Sequence, residues 1–169
     1  MLCLTGKLKI KTDVLAPDRE FTADYKCYHP TRIIHTMLEL VKMIWRVPSS
    51  QAYWDKVKWD ATSEQADFYG EWRVIDKKDR YSKVVNKIVV MGTQGKDKNG
   101  KVTVKIKPTL ETELDYKTVI DKVFLKMYLD TVYRKQILQY VDLAQRRVKE
   151  FDHEVRKILD IPLREHPHK

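Results

Sequence analysis

The segment Trp54-Asp55-Lys56-Val57-Lys58-Trp59-Asp60 comes nearest to a ligand site in residue type and spacing. Indole rings beside carboxylates and lysines can form an aromatic rim around a cavity, with charge to orient a guest. A strand followed by a turn explains the same residues. The other reactive side chains fall short of catalysis. His29, His35, His153, His166 and His168 make no HExxH pattern and no close pair on a helix, so neither a metal nor a cofactor is expected. Cys27 precedes His29 by two residues and reads as a core position on a strand. No GxSxG elbow is present to supply a serine nucleophile. Gly92-Thr93-Gln94-Gly95-Lys96 has the setting of a hairpin, whereas a phosphate-binding glycine loop joins a strand to a helix. Glu111 and Glu113 share the polar face of a strand and read as solvated. No motif fixes a reaction, so a non-catalytic role is the expectation.

The whole chain narrows the classes further. Its 169 residues, 43% of them hydrophobic, suit one domain with a real core. The net charge of +9, from 33 basic and 24 acidic residues, is spread along the sequence rather than gathered in a tail. Diffuse positive charge fits a solvated surface, and more specifically a partner such as nucleic acid or an anionic membrane. Lys56, Lys58, Arg73, Lys105 and Lys107 alternate with apolar or aromatic residues, but those aromatics read as inward-facing and no RNA-binding signature is present. Two cysteines, Cys3 and Cys27, are too few for a disulfide framework and point to a reducing compartment. Lys7, Lys9 and Lys11 break up the apolar start at once, and no apolar run approaches membrane-spanning length. A soluble, cytoplasmic protein is expected.

The elements that would position these residues follow from periodicity. Residues 2–12 alternate with Lys7, Lys9 and Lys11 on one face, the mark of a protected edge strand. Residues 19–28 alternate again. A helix follows from His29-Pro30-Thr31 and stops at Pro48-Ser49-Ser50. Strands are predicted over 51–60, 65–76, 81–92 and 101–114, the third with both faces buried and the fourth bent or at an edge because of Pro108. Residues 116–161 read as helical, with Ile137, Val141, Ala144, Val148, Phe151, Val155 and Ile158 in one stripe. Unbroken, that helix would run roughly 70 Å, against about 40 Å for a compact domain of this size. A break is therefore predicted near Met127–Arg134. The stripe fits packing on the sheet, or a homodimer through the C-terminal helix. Residues 1–161 make one α+β domain in this reading, and 162–169 a polar tail.

This order of elements resembles the helix-grip fold of the START/Bet v 1-like superfamily, the polyketide cyclase-like SRPBCC group. The likeness rests on a strand entering a helix through His29-Pro30-Thr31, a small sheet of hairpins, and an alternating last strand, Val102–Leu114, leading into an amphipathic helix. Glu111-Thr112-Glu113-Leu114, Tyr128-Leu129-Asp130-Thr131-Val132-Tyr133-Arg134 and Arg146-Arg147-Val148-Lys149-Glu150 carry it further. The chain departs from the family in having about four strands after the first helix where six are usual, an extra N-terminal strand, and one helix near 30–50 where two are usual. A cystatin-like sheet wrapped on one helix is the other fold considered. The resemblance implies a curved antiparallel sheet gripping the C-terminal helix, with a hydrophobic small molecule, lipid-like or polyketide-like, held between them. It assigns the lining to Trp54, Trp59, Phe68, Trp72, Val74, Ile88, Val104, Ile106, Phe124, Met127 and Tyr128, with Arg73 or Asp55 orienting a polar head. A cyclase- or aromatase-type enzyme would also need an acid or base inside that cavity, and no inward strand position offers one.

Overall fold

The computed structural model describes residues 5–62 and 64–162. Two strands, β1 (Gly6–Asp13) and β2 (Phe21–Tyr28), precede helix α1 (Arg32–Trp45). A short 3-10 turn, Ser49–Gln51, leads into β3 (Ala52–Asp60), β4 (Gln65–Lys77), β5 (Ser82–Gly95) and β6 (Asn99–Tyr116). Helices α2 (Val119–Thr131) and α3 (Arg134–Ile158) follow.

The four strands after α1 form an antiparallel meander, β3-β4-β5-β6. The free side of β6 is shared. Its second half pairs with β1, from Gly6 opposite Tyr116 to Asp13 opposite Thr109, and its first half with β2, from Phe21 opposite Ile106 to Tyr28 opposite Asn99. Pro108 falls in the gap between those two partners. Its carbonyl accepts from the Val14 N–H at 3.4 Å on that side, so its missing N–H also points where no strand lies. Pro108 therefore does not mark an edge, and β6 continues through it as a central strand in unbroken register with β5.

One face of the sheet carries the core. Phe68, Trp72 and Val74 of β4, Val84, Ile88 and Val90 of β5, and Val102, Val104, Ile106 and Leu110 of β6 are all buried. Helix α1 covers them with Ile33, Met37, Val41 and Ile44, four residues that helical spacing brings to one side. Helix α3 adds Val148, Phe151 and Val155 to the same cluster, and Ala144 to a second one with Val14, Val84 and Leu110. The C-terminal stripe thus packs on the sheet and on α1. Among the described residues, no helix or second sheet covers the opposite face. Val85, Val89 and Met91 lie there half-buried, so β5 is buried on one face and not on both as its apolar run predicted. Lysines Lys7, Lys9 and Lys11 of edge strand β1 stand on this open face and pair with Glu113 and Glu111.

The C-terminal helical region breaks at Val132–Tyr133, inside the predicted interval. The N–H groups of both residues converge on the Tyr128 carbonyl at 3.0 Å. Helix α2 begins at a capping box, in which the Thr118 hydroxyl and the Asp121 carboxylate bond each other's backbone N–H.

Candidate functional site

The structure does not bring the eleven expected lining residues together. Phe68, Trp72, Val74, Ile88, Val104 and Ile106 are at most 3% exposed. A cavity that admits a ligand leaves water-accessible surface on its walls, and these six have almost none. Side chains of α1 and α3 fill the space between sheet and helix, which is close-packed as protein interiors generally are. Gly70 shows how tight this is: a Cβ there would stand 2.1 Å from the Trp72 ring. The expectation that these six line a ligand cavity is corrected accordingly; they are core.

The other five residues are on the surface, in two separate places. Trp54 and Trp59 project from β3, an edge strand of the sheet. Phe124, Met127 and Tyr128 belong to α2, which packs against β6 and α3. Asp55 and Arg73 pair with each other at 2.8 Å, with the guanidinium 5.9 Å from the Tyr53 ring centre. Neither is directed into the core to orient a guest.

Helix α2 is the unusual element. Leu125 and Leu129, one turn apart, turn inward against Leu114 and Tyr133. Two further rows at four-residue spacing point away from the sheet: Val119, Val123 and Met127, and beside them Ile120, Phe124 and Tyr128. These six, with Val132, are 42–68% exposed. A contiguous apolar face of seven large side chains is at or above the few hundred Å² that soluble monomers usually leave open. Lys122 and Lys126 run along its border at the same four-residue spacing. The helix is apolar on its packed side and on its open side, which a single amphipathic period cannot represent. That double pattern was the available sequence signal for an exposed face.

Next to α2 lies a half-open groove of about 860 Å³. Ile10, Leu114 and Leu125 give it an apolar floor, and its rim mixes the cations Lys9, Lys11, Lys77, Arg80 and Lys83 with the carboxylates Asp79, Glu111, Glu113 and Asp115. Lys77 and Lys83 are directly opposed across β4 and β5, a like-charge pairing that costs stability unless something neutralises it. Lys83 reaches Glu111 only at 3.6 Å, and Arg80 rests over the Tyr81 ring at 5.8 Å.

A polar cluster joins the groove to the helix break. Both Tyr133 and Tyr140 donate their hydroxyls to Asp79 Oδ2, the latter at 2.7 Å. The other carboxylate oxygen, Oδ1, accepts the backbone N–H groups of Tyr81 and Ser82 at 2.7 and 2.8 Å. Ser82 Oγ bonds the hydroxyls of Thr112 and Tyr133 at 2.8 and 2.9 Å. Burial pushes the Asp79 carboxyl up, but these four donated hydrogen bonds outweigh it and hold the group below its ordinary value. Tyr133 is pushed well above the usual phenol range, by burial first and then by its bond to Asp79. Tyr140 moves the same way for the same reasons. The cluster is thus a carboxylate held ionised by neutral phenols. Its chemistry is that of an anchor, since a phenol so hard to ionise makes a poor base at neutral pH.

Among the described residues, no group of three or more His, Cys, Asp or Glu is placed to hold a metal. His166 and His168 lie outside them. No described helix is long and apolar enough to cross a membrane.

Neither a family model nor a curated protein matches the chain. Two solved structures are similar in part. One is the protein of unknown function SA2116 from Staphylococcus aureus, at 5% identity and a TM-score of 0.29, covering 83% of this chain and 94% of that one. The other is Mll3558 from Rhizobium loti, at 10% identity and a TM-score of 0.21, covering 85% of this chain and 99% of that one.

Proposed function

We propose that this protein binds lipid at its surface, as a peripheral, non-catalytic module on an anionic bilayer, with α2 lying in the interface. The observation that carries this reading is the exposed double row of α2, Val119–Val123–Met127 and Ile120–Phe124–Tyr128. At 13 residues the helix is about 20 Å long, well short of the roughly 30 Å hydrocarbon core. It therefore lies in the plane of the surface. Lys122 and Lys126 flank the apolar rows where lipid phosphates would be, each contributing about 1 kcal/mol at an anionic surface. The groove beside α2 offers an apolar floor to the first carbons of one lipid, and Lys77, Arg80 and Lys83 on its mixed-charge rim to the head group. Four of the six side chains in these rows, Val119, Ile120, Val123 and Met127, carry no ring to stack on bases and no charge to pair with phosphate, so the face suits acyl chains better than a polynucleotide.

The meander that leads directly into C-terminal helices supports a helix-grip variant of the START/Bet v 1-like kind. In this variant α1 and α3 fill the interior, and the apolar ligand is met outside.

Co-sedimentation with vesicles tests the proposal. The chain is expected to bind phosphatidylcholine vesicles weakly and vesicles containing phosphatidylglycerol strongly. Phe124→Asp with Met127→Asp removes two inserted side chains, each about 1.5–3 kcal/mol when fully buried. Affinity should fall more than about tenfold while the urea midpoint stays unchanged, because neither side chain packs in the core. Binding that survives the double substitution undiminished sinks the proposal.

A further inference from the structure

β3 is one free edge of the sheet, with β4 on one side and, among the described residues, no strand on the other. From Tyr53 to Asp60 every residue is exposed. Such an edge presents a row of outward N–H and C=O groups that another strand can use. Its side chains are also unusual for an open edge. Trp54 is 71% exposed and Trp59 49%. In the register with β4, Trp54 is opposite Trp72, Val57 opposite Gly70, and Trp59 opposite Phe68. These three apolar side chains therefore stand on the helix-covered face of the sheet, yet each remains exposed. The Trp59 ring stacks on Phe68 at 6.1 Å and leaves its other side open.

A bulge between Trp54 and Lys56 divides β3 and leaves residues 56–60 as its longer regular stretch. That segment is complementary to itself. Placed antiparallel on a second copy about a two-fold axis at Lys58, it sets Lys56 against Asp60 twice on the open face and Val57 against Trp59 twice on the helix-covered face. Only Lys58 meets its own kind, on the axis, where two long side chains can splay apart. Centring the axis on Val57 instead would oppose Lys56 and Lys58 twice. Centring it between residues would put side chains of opposite faces across from each other.

We propose that a second copy of this chain occupies the edge, pairing β3 with β3 antiparallel about Lys58 and joining the two sheets into one. The pairing satisfies the edge backbone, covers Val57 and Trp59, and neutralises Lys56. It does not depend on the lipid reading, since α2 and β3 lie in separate parts of the molecule.

Sedimentation velocity over a range of concentrations, in the absence of lipid, tests it together with charge exchange. The full chain is expected to dimerise. Lys56→Asp, which opposes Asp60 with another acid, should raise the dimer dissociation constant more than about tenfold. Lys56→Asp with Asp60→Lys restores the complementarity and should restore the dimer, which separates pairing from folding damage. In a background of Cys3→Ser and Cys27→Ser, Lys58→Cys should form an interchain disulfide on mild oxidation, and Lys56→Cys should not. A monomer at every concentration, a Lys56→Asp variant as dimeric as the parent, or a crosslink at position 56 in place of 58 would each overturn the proposal. So would saturation of the edge by an unrelated extended peptide with no self-association.

Discussion

Tyr133 ties together parts of the chain that are far apart in sequence, and the cost of removing its hydroxyl can be argued atom by atom. The hydroxyl serves Asp79 and Ser82 at once, and the residue is only 8% exposed. Tyr133→Phe leaves the ring in place among Leu114 and Leu129 but removes both bonds. A loss of about 1–3 kcal/mol in urea unfolding is expected, because the buried Ser82 hydroxyl then keeps Thr112 alone. Asp79 adds a pH signature. Its folded value is depressed below the ordinary 3.8, so its contribution is complete above that value and disappears as the pH falls through the folded one. Acid unfolding monitored by circular dichroism should therefore begin at higher pH in Tyr133→Phe than in the parent, since the carboxylate has lost one donor. Coincident acid transitions would show that the phenol does not support the charge. None of this was legible in the sequence. Asp79 reads as a turn residue and Tyr133 as a helix residue, 54 positions apart, and only the fold places one against the other.

Helices α2 and α3 come from one helical stretch but stand in opposite situations. Helix α3 is 25 residues long and buries one stripe against the sheet and α1. Helix α2 buries Leu129 fully and Leu125 in part, while most of its apolar surface stays open. Opening α2 locally therefore exposes little new surface, and its amides should exchange with deuterium well before the centre of α3. Anionic vesicles should slow exchange in α2 and leave α3 unchanged. Protection that appears equally in both helices would point to global stabilisation in place of docking. The break between them was legible from length alone, because one unbroken rod does not fit a compact domain. The strands were legible for a related reason. In β6, Val102, Val104, Ile106, Leu110 and Leu114 alternate strictly with polar residues, and one face packs while the other meets water. Periodicity shows that a face is apolar but not whether anything covers it. It therefore gave the packed stripe of α3 and missed the open rows of α2. For the same reason Trp54 and Phe124 were grouped with Trp72 and Ile88, although only the latter two have helices above them.

At the scale of the whole molecule, the proposed membrane binding would draw on two sources, a net charge of +9 and the apolar face of α2. Much of the positive charge on the open face of the sheet is matched locally, as in Lys87 with Glu71 at 2.6 Å and Lys7 with Glu113 at 2.6 Å. Such exposed pairs contribute little to stability. Other cations stand beside like charge: Lys107 is opposite the already paired Lys87, and Lys26 is opposite Lys101. This excess attracts an anionic surface from a distance, whereas the rows of α2 act only on contact. The two contributions respond differently to salt. At 0.1 M the screening length is about 10 Å and at 1 M about 3 Å. Raising salt across that range should weaken binding to phosphatidylglycerol-containing vesicles steeply but leave a residual affinity that matches binding to neutral vesicles. In Phe124→Asp with Met127→Asp that residual affinity should vanish, while a salt-sensitive part survives at low ionic strength. Isothermal titration at four or five salt concentrations resolves both parts. If the parent chain loses all binding at high salt, charge carries the interaction alone, and polyanions such as single-stranded nucleic acid should then compete with the vesicles. Residual binding at high salt that disappears with the α2 substitutions assigns the contact to the helix and the approach to the lysines.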